Sequence, residues 1–98
     1  MISDSEKIFL QISQKPGVLG SIAMKTDGIP IRTDFSDEQT NLYCALVSQF
    51  LKRTDKVLGN ILDDPKLESI RIRSKKNELI IAPEGDYVLV VVQDPYVK

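Results

Sequence analysis

The fold is decided by residues 67–93, LESIRIRSKKNELIIAPEGDYVLVVVQ, which predict three consecutive β-strands. The predicted strands cover residues 67–74, 78–83 and 86–93. Their connections have the length of hairpin turns. In the first strand, Ile70 and Ile72 alternate with Arg71 and Arg73, so one face is apolar and the other charged. The other two strands are apolar on both faces, so both sides of a sheet must be covered there.

Two earlier strands are predicted over residues 18–25 and 29–34. Asp27-Gly28 lies between them and is a strong hairpin signal, which favours a type I′ turn with positive φ at both central residues. Pro30 lacks a backbone donor for the ladder, which places the second of these strands at a sheet edge.

Two helices complete the pattern. A short amphipathic helix is predicted over residues 4–14, with Ser3 or Asp4 as its N-cap. A long helix is predicted over residues 36–62, where Ser36 is followed three residues later by a glutamine, as in a capping box.

The long helix carries more apolar residues than one sheet face usually requires. Its predicted stripe contains Leu42, Ala45, Leu46, Phe50, Leu51, Val57, Leu58, Ile61 and Leu62, widened by Tyr43 and Val47. We therefore expect the helix to meet a partner as well as the sheet. The helix is predicted to end at the segment 63–66, since Pro65 cannot continue it.

The element order is helix, two strands, long helix and three strands, within one domain spanning residues 1–98. A single sheet with a helix on each face covers the two-sided strands and gives both helices a surface to pack on. The predicted fold class is therefore α/β, of the α+β type.

Composition argues against most catalytic classes. The chain has no histidine, which removes the commonest general base and metal ligand, and its dispersed glycines form no phosphate-binding loop. Cys44 is the single cysteine, so an intrachain disulfide or a zinc knuckle is impossible, and its apolar surroundings indicate a small core residue. Asp63 and Asp64, at a helix end, are interpreted as solvated loop residues. We expect no enzyme activity, no cofactor and no metal.

The sequence also bears on the compartment. The N-terminal segment lacks the cationic lead and apolar run of a signal peptide, and the longest apolar run, residues 88–92, is too short to span a bilayer. We expect a cytoplasmic protein without membrane insertion.

A cluster of cations spans residues 66–76, where basic residues exceed acidic ones by four. Nucleic-acid binding would require such a surplus, but also exposed aromatic residues or a basic helix, and all six aromatic residues lie outside this window. The alternative is a strand with a charged outer face and a charged turn. We favour this alternative and expect no nucleic-acid partner.

The predicted strand over 67–74 has an edge that the other strands leave open, and the long helix has apolar residues to spare. Two copies can pair such edges antiparallel, an arrangement that is self-complementary as a two-fold interface requires. We prefer a homodimer to a monomer with a protected edge. The candidate interface residues are Ile70, Arg71, Ile72 and Arg73, together with Leu46 and Phe50 of the long helix.

The segments KPGVLGSIAMKTDGIPIRT (15–33) and LESIRIRSKKNELIIAPEGDYVLVVVQDP (67–95) resemble the roadblock-type dynein light chains. The likeness extends over nearly the whole chain. It is strongest at Gly17-Val18, Gly20, Asp27 to Arg32, Arg71 to Lys76, Glu78, Ala82-Pro83, Tyr87 and Gln93 to Pro95.

This resemblance implies a profilin-like roadblock fold, with a five-stranded antiparallel sheet and helices on both faces. It also implies a homodimer, or a heterodimer of paralogues, with sheets joined edge to edge. The implied function is that of a non-catalytic light chain that binds the dynein intermediate chain and supports cargo attachment. Such a protein would be cytoplasmic and associated with the cytoskeleton, in cytoplasmic or axonemal dynein.

An alternative function within the same fold is that of a scaffold or regulator of a small Ras-like GTPase. Some relatives of that kind carry an extra C-terminal helix for which this sequence has no room, and this favours the light-chain function.

Overall fold

The computed structural model describes residues 4–64 and 66–96. Seven elements follow in the predicted order: α1 (Asp4–Ser13), β1 (Val18–Lys25), β2 (Pro30–Thr33), α2 (Asp37–Ile61), β3 (Ile70–Arg73), β4 (Glu78–Glu84) and β5 (Tyr87–Gln93). Asp4 lies within the first helix, while the other candidate cap, Ser3, and the predicted helix stop at Pro65 lie outside the described residues.

The five strands form one antiparallel sheet in the order β2-β1-β5-β4-β3. The predicted fold class is thereby confirmed. Pro30 lies on an edge strand, as its missing donor requires. In the described part of the chain, β3 forms the opposite edge of the sheet.

The two helices cover opposite faces of this sheet. Ile22 packs in a buried cluster with Cys44 and Val47 of α2. The preceding residue, Ser21, points to the other face, where its hydroxyl lies 2.7 Å from the hydroxyl of Ser13 in α1. The faces bearing Ile22 and Ser21 are called the α2 face and the α1 face below.

The core lies between the sheet and α2. Its most buried large side chains are Ile22, Met24, Ile81, Val88 and Val90. Burial of each such side chain stabilises the fold by roughly 1.5–3 kcal/mol. Cys44 is 2% exposed within this core, as predicted, and burial raises the pKa of its thiol.

The turn between β1 and β2 differs from the predicted type I′. Gly28 has a φ of 95°, but among the described residues only glycines have positive φ, so Asp27 does not. The Gly28 N–H donates to the Lys25 carbonyl and the Lys25 N–H to the Ile29 carbonyl, both at 2.9 Å. This is a three-residue loop of the type I family followed by a left-handed glycine. The Asp27 carboxylate favours it, because Oδ1 accepts from the Ile29 N–H at 3.1 Å.

The start of α2 follows the sequence signal. Ser36 is the N-cap, and its Oγ accepts from the Gln39 N–H at 3.2 Å. In a capping box the side chain of the third residue accepts from the backbone N–H of the N-cap residue. Here Gln39 Oε1 instead accepts from the Ser36 hydroxyl at 3.4 Å.

The strand β3 is shorter than the predicted 67–74. Only Ile70–Arg73 pair with β4, and among the described residues no strand lies on the other side of β3 to extend the pairing. Leu67, from the predicted strand, instead packs half-buried against the core.

Candidate interaction surface

The first component of the surface is the free edge of β3. Ile70 pairs with Ile81 and Ile72 with Leu79, which places both isoleucines on the α2 face, because directly paired residues share a face. Ile70 is half-buried against the core, whereas Ile72 remains 40% exposed. Backbone donors and acceptors on the outer side of β3 therefore lie beside an incompletely covered apolar side chain.

Arg71 projects from β3 on the α1 face, beside a buried carboxylate. Its Nη1 lies 3.9 Å from Glu78 Oε1, and the same oxygen accepts a hydrogen bond from Gln93 Nε2 at 2.6 Å. Glu78 is buried, but the Arg71 side chain is 67% exposed, so solvent weakens this ion pair and it contributes little to stability.

Arg73 lies on the same face, at the other end of β3. Its guanidinium carbon is 5.3 Å from the ring centroid of Tyr96, which is itself exposed. A cation over an aromatic face is attracted by about 0.5–1 kcal/mol at exposed sites. The two arginines of β3 are thus held by different neighbours, and both remain accessible.

The second component is the outer face of α2. The structure divides the broad predicted stripe between two faces. Cys44, Val47 and Leu51 face the sheet, whereas a second set is exposed. The exposed set, called the outer stripe below, consists of Leu42, Leu46, Phe50, Val57 and Ile61.

The two faces arise from the helical period. At about 100° per residue, Leu42, Leu46 and Phe50 follow one another at i+4 spacing on one side, more than 100° from the face of Cys44 and Leu51. Leu46 and Phe50 are 57% and 42% exposed. An apolar row of this length without cover is unusual on a soluble monomer and indicates an interaction site.

The structure therefore gathers the six predicted interface residues on two exposed features. Ile70, Arg71, Ile72 and Arg73 form the edge of the sheet, and Leu46 and Phe50 lie on the outer stripe. The i+4 spacing from Leu46 and Phe50 could also have identified Leu42. No sequence signal indicated that Tyr96 would contact Arg73 or that Glu78 would be buried.

A groove lies at the opposite edge of the sheet, between β2 and the start of α2. It has a volume of about 340 Å³, and its lining residues are Pro30, Ile31, Arg32, Thr33, Asp37, Thr40 and Asn41. Ile31 is half-exposed there. The guanidinium of Arg32 lies 5.5 Å from the ring centroid of Phe9.

Residues 4–64 and 66–96 hold no group of three or more potential metal ligands. Asp63 and Asp64 are exposed, as predicted for solvated loop residues. Within the same ranges, neither helix combines the length and apolar character needed to cross a membrane.

The sequence profile of the Roadblock/LC7 domain matches residues 4–94. The chain belongs to the Roadblock/LC7 family. The family assignment made from the sequence segments is therefore confirmed, and the five-stranded sheet with its two helices is the roadblock fold.

Several solved structures share this architecture at low sequence identity. A Roadblock/LC7 domain from Streptomyces avermitilis is 12% identical, with a TM-score of 0.84 over 98% of this chain and 82% of that one. The gliding protein MglB from Thermus thermophilus is 11% identical, with a TM-score of 0.77 over 100% and 79%. MglB in a tetrameric arrangement is 11% identical, with a TM-score of 0.75 over 99% and 78%. These similarities establish the fold.

Proposed function

We propose that this roadblock domain is a non-catalytic, homodimeric scaffold that binds or regulates a small Ras-like GTPase in the cytoplasm. The observation that carries the proposal is the combination of a free β3 edge with the exposed outer stripe of α2. Both are surfaces that a protein partner covers, and the described residues form no metal cluster.

The similar structures favour the GTPase function over the motor function. The three structures named above are a bacterial roadblock domain and two MglB proteins, and none of the three is a dynein subunit. The dynein light chain remains the second candidate, and what supports it is the likeness of residues 15–33 and 67–95 to that branch of the family. The motor-specific part of the hypothesis has no further support.

In the proposed dimer, the β3 strands of two copies pair antiparallel and join the two sheets. The interface is isologous, so each copy contributes the same surface. Ile72 contacts an isoleucine of the second copy on the α2 face, and the outer stripes of the two α2 helices lie on that same side. At 1.5 Å per residue, the row from Leu42 to Ile61 extends for about 28 Å, long enough for a helix–helix contact.

The dimer is tested by Ile72→Asp, with mass measured by light scattering over a range of concentrations. We expect the wild type to be a dimer and the variant a folded monomer, because a carboxylate at this position would be desolvated between two strands. Ile31→Asp is the matched control, since Ile31 is a half-exposed isoleucine on the other edge strand. A folded dimer of the Ile72 variant would place the interface elsewhere.

The partner is tested by a pulldown with the wild-type chain and with the Ile72→Asp variant. Enrichment of a small Ras-like GTPase, dependent on the bound nucleotide, supports the scaffold function. Enrichment of the dynein intermediate chain instead supports the light-chain function and contradicts the GTPase proposal. The same experiment, followed by mass spectrometry, identifies any paralogue that replaces the second copy.

A further inference from the structure

We propose that the dimer interface forms a composite site for an acidic polypeptide segment, built from Arg71 and Arg73 of both copies. The inference rests on the homodimer proposed above, because a single chain supplies only half of the site. It gives a role to the basic cluster of residues 66–76, which the scaffold function alone leaves unexplained.

The pairing geometry brings the arginines of the two copies together. Both α2 helices lie on the same side of the joined sheet if their outer stripes are to meet. Residues that oppose each other across the two-fold axis must then belong to the same face. Arginines therefore oppose arginines, and isoleucines oppose isoleucines.

Two registers satisfy this requirement within the four residues of β3. If Ile72 lies on the axis, Arg71 opposes Arg73 of the second copy. If Arg71 lies on the axis, it opposes its own symmetry mate. Directly opposed residues have Cβ atoms about 5 Å apart, and like charges at this distance destabilise the pairing.

The carboxylate on the paired stretch of β4 does not balance these charges. Glu78 is the acidic residue on the stretch of β4 that pairs with β3, and its Oε1 already accepts from Gln93 at 2.6 Å and lies near Arg71. Each copy thus presents two arginines against one buried carboxylate, with Lys75 and Lys76 at the adjoining hairpin tip. The dimer carries a surplus of positive charge at its centre.

Carboxylates are the complementary ligands for this surface. Arginine forms paired, charge-assisted hydrogen bonds with carboxylates, and the exposed side chains of Arg71 and Arg73 can adopt such geometry. Ile80 and Ala82 lie half-buried on the same face of β4, which suits the apolar residues of a peptide. A nucleic acid would require free aromatic surfaces for its bases, and Tyr96 already lies against Arg73.

The test measures dimer dissociation by sedimentation equilibrium, with and without poly-L-glutamate, at matched ionic strength. We expect poly-L-glutamate to tighten the wild-type dimer at least tenfold. Arg71→Gln should tighten the dimer about two- to thirtyfold in the absence of poly-L-glutamate, because Arg71 opposes an arginine of the second copy in both registers, and it should lose most of the response. Arg73→Gln provides a second variant: it should also lose most of the response, and it should tighten the dimer without poly-L-glutamate only in the register with Ile72 on the axis. Lys25→Gln is the control, because Lys25 lies on β1, three strands from β3, and should behave as the wild type.

Each alternative result has a defined meaning. A wild-type chain that is monomeric throughout contradicts the proposed dimer and, with it, this site. A wild-type dimer whose dissociation constant does not change with poly-L-glutamate overturns the site but not the dimer. The same follows if the monomeric Ile72→Asp variant binds poly-L-glutamate as tightly as the wild type. Weaker dimers of Arg71→Gln and Arg73→Gln would show that the arginines stabilise the interface, which overturns the proposal. A thymidine oligonucleotide that binds the wild-type dimer more tightly than poly-L-glutamate does would indicate a nucleic-acid surface, which also overturns it.

Discussion

Asp34 binds both polar hydrogens of Ser21 with a single carboxylate oxygen. Its Oδ2 accepts from the Ser21 backbone N–H at 3.0 Å and from the Ser21 hydroxyl at 2.9 Å. The Ser13 hydroxyl at the end of α1 lies 3.2 Å from the same oxygen. Because Ser21 is fully buried, this carboxylate satisfies polar groups that have no access to water and ties α1 to the sheet.

Asp34→Ala is expected to lower the free energy of unfolding by about 1–3 kcal/mol, since it leaves the buried Ser21 N–H without its acceptor. Urea unfolding followed by circular dichroism measures the loss. Asp63→Ala, at an exposed aspartate, should change the free energy by less than about 0.5 kcal/mol. Equal effects of the two substitutions would show that the Asp34 contacts contribute no net stability.

Replacement of glycine by alanine should have opposite effects on stability at Gly20 and at Gly59. A methyl group on Gly20 would lie 2.8 Å from Cε1 of the Phe35 ring, whereas one on Gly59 meets nothing within 4 Å. Gly20→Ala should therefore lower the free energy of unfolding by about 1–3 kcal/mol, and Gly59→Ala, within α2, should raise it by about 1 kcal/mol.

Thermal or urea unfolding of both glycine variants provides the comparison. Phe35→Leu, combined with Gly20→Ala, should recover part of the loss, because a smaller side chain leaves room for the methyl group. A full loss in the double variant would show that the cost at Gly20 is conformational rather than steric.

The sequence was informative wherever a local pattern has one structural solution. Ser36 with Gln39 predicted the start of α2, and Pro30 predicted an edge strand. The turn at Asp27-Gly28 was predicted in place but not in type, because the dipeptide is compatible with both a two-residue and a three-residue loop. The choice depends on how many residues the flanking strands pair, which is a tertiary property.

The interaction surface was less predictable, since helical periodicity describes the width of an apolar stripe but not which side packs on the sheet. Leu46 and Leu51 both belonged to the predicted stripe, yet only Leu51 is buried. The division follows from the position of α2 over Ile22 and Val90, residues distant in sequence. The contact of Arg73 with Tyr96 likewise depends on the path of the chain after β5.

The buried thiol of Cys44 predicts slow chemical modification and a specific pH dependence. Desolvation raises its pKa above the ordinary value of 9.0, so the reactive thiolate is rarer in the folded state than in the unfolded state. We expect Ellman's reagent at about pH 8 to react much more slowly with the native chain than with the chain in concentrated urea.

The same shift links the thiol to stability. Because the folded pKa is raised, the stabilising contribution is complete below the unfolded pKa and declines as the pH rises through the folded value. The wild type should lose stability above about pH 9, and Cys44→Ala should lose less over that interval. Rapid modification of the native thiol would contradict its placement in the core.

Leu46→Glu and Leu51→Glu separate the two faces of α2. Leu51 packs against the sheet, so a carboxylate there would be buried without a partner, and we expect a loss of more than about 4 kcal/mol and an unfolded or partly folded chain. Leu46 is exposed, so its variant should remain folded with native circular dichroism.

If the outer stripe lies in the dimer interface, Leu46→Glu should produce a monomer in light scattering, and its unfolding midpoint should no longer depend on protein concentration. Phe50→Glu should behave in the same way. If both exposed-face variants remain folded dimers, the outer stripe is not part of the interface. The β3 edge is tested separately by Ile72→Asp.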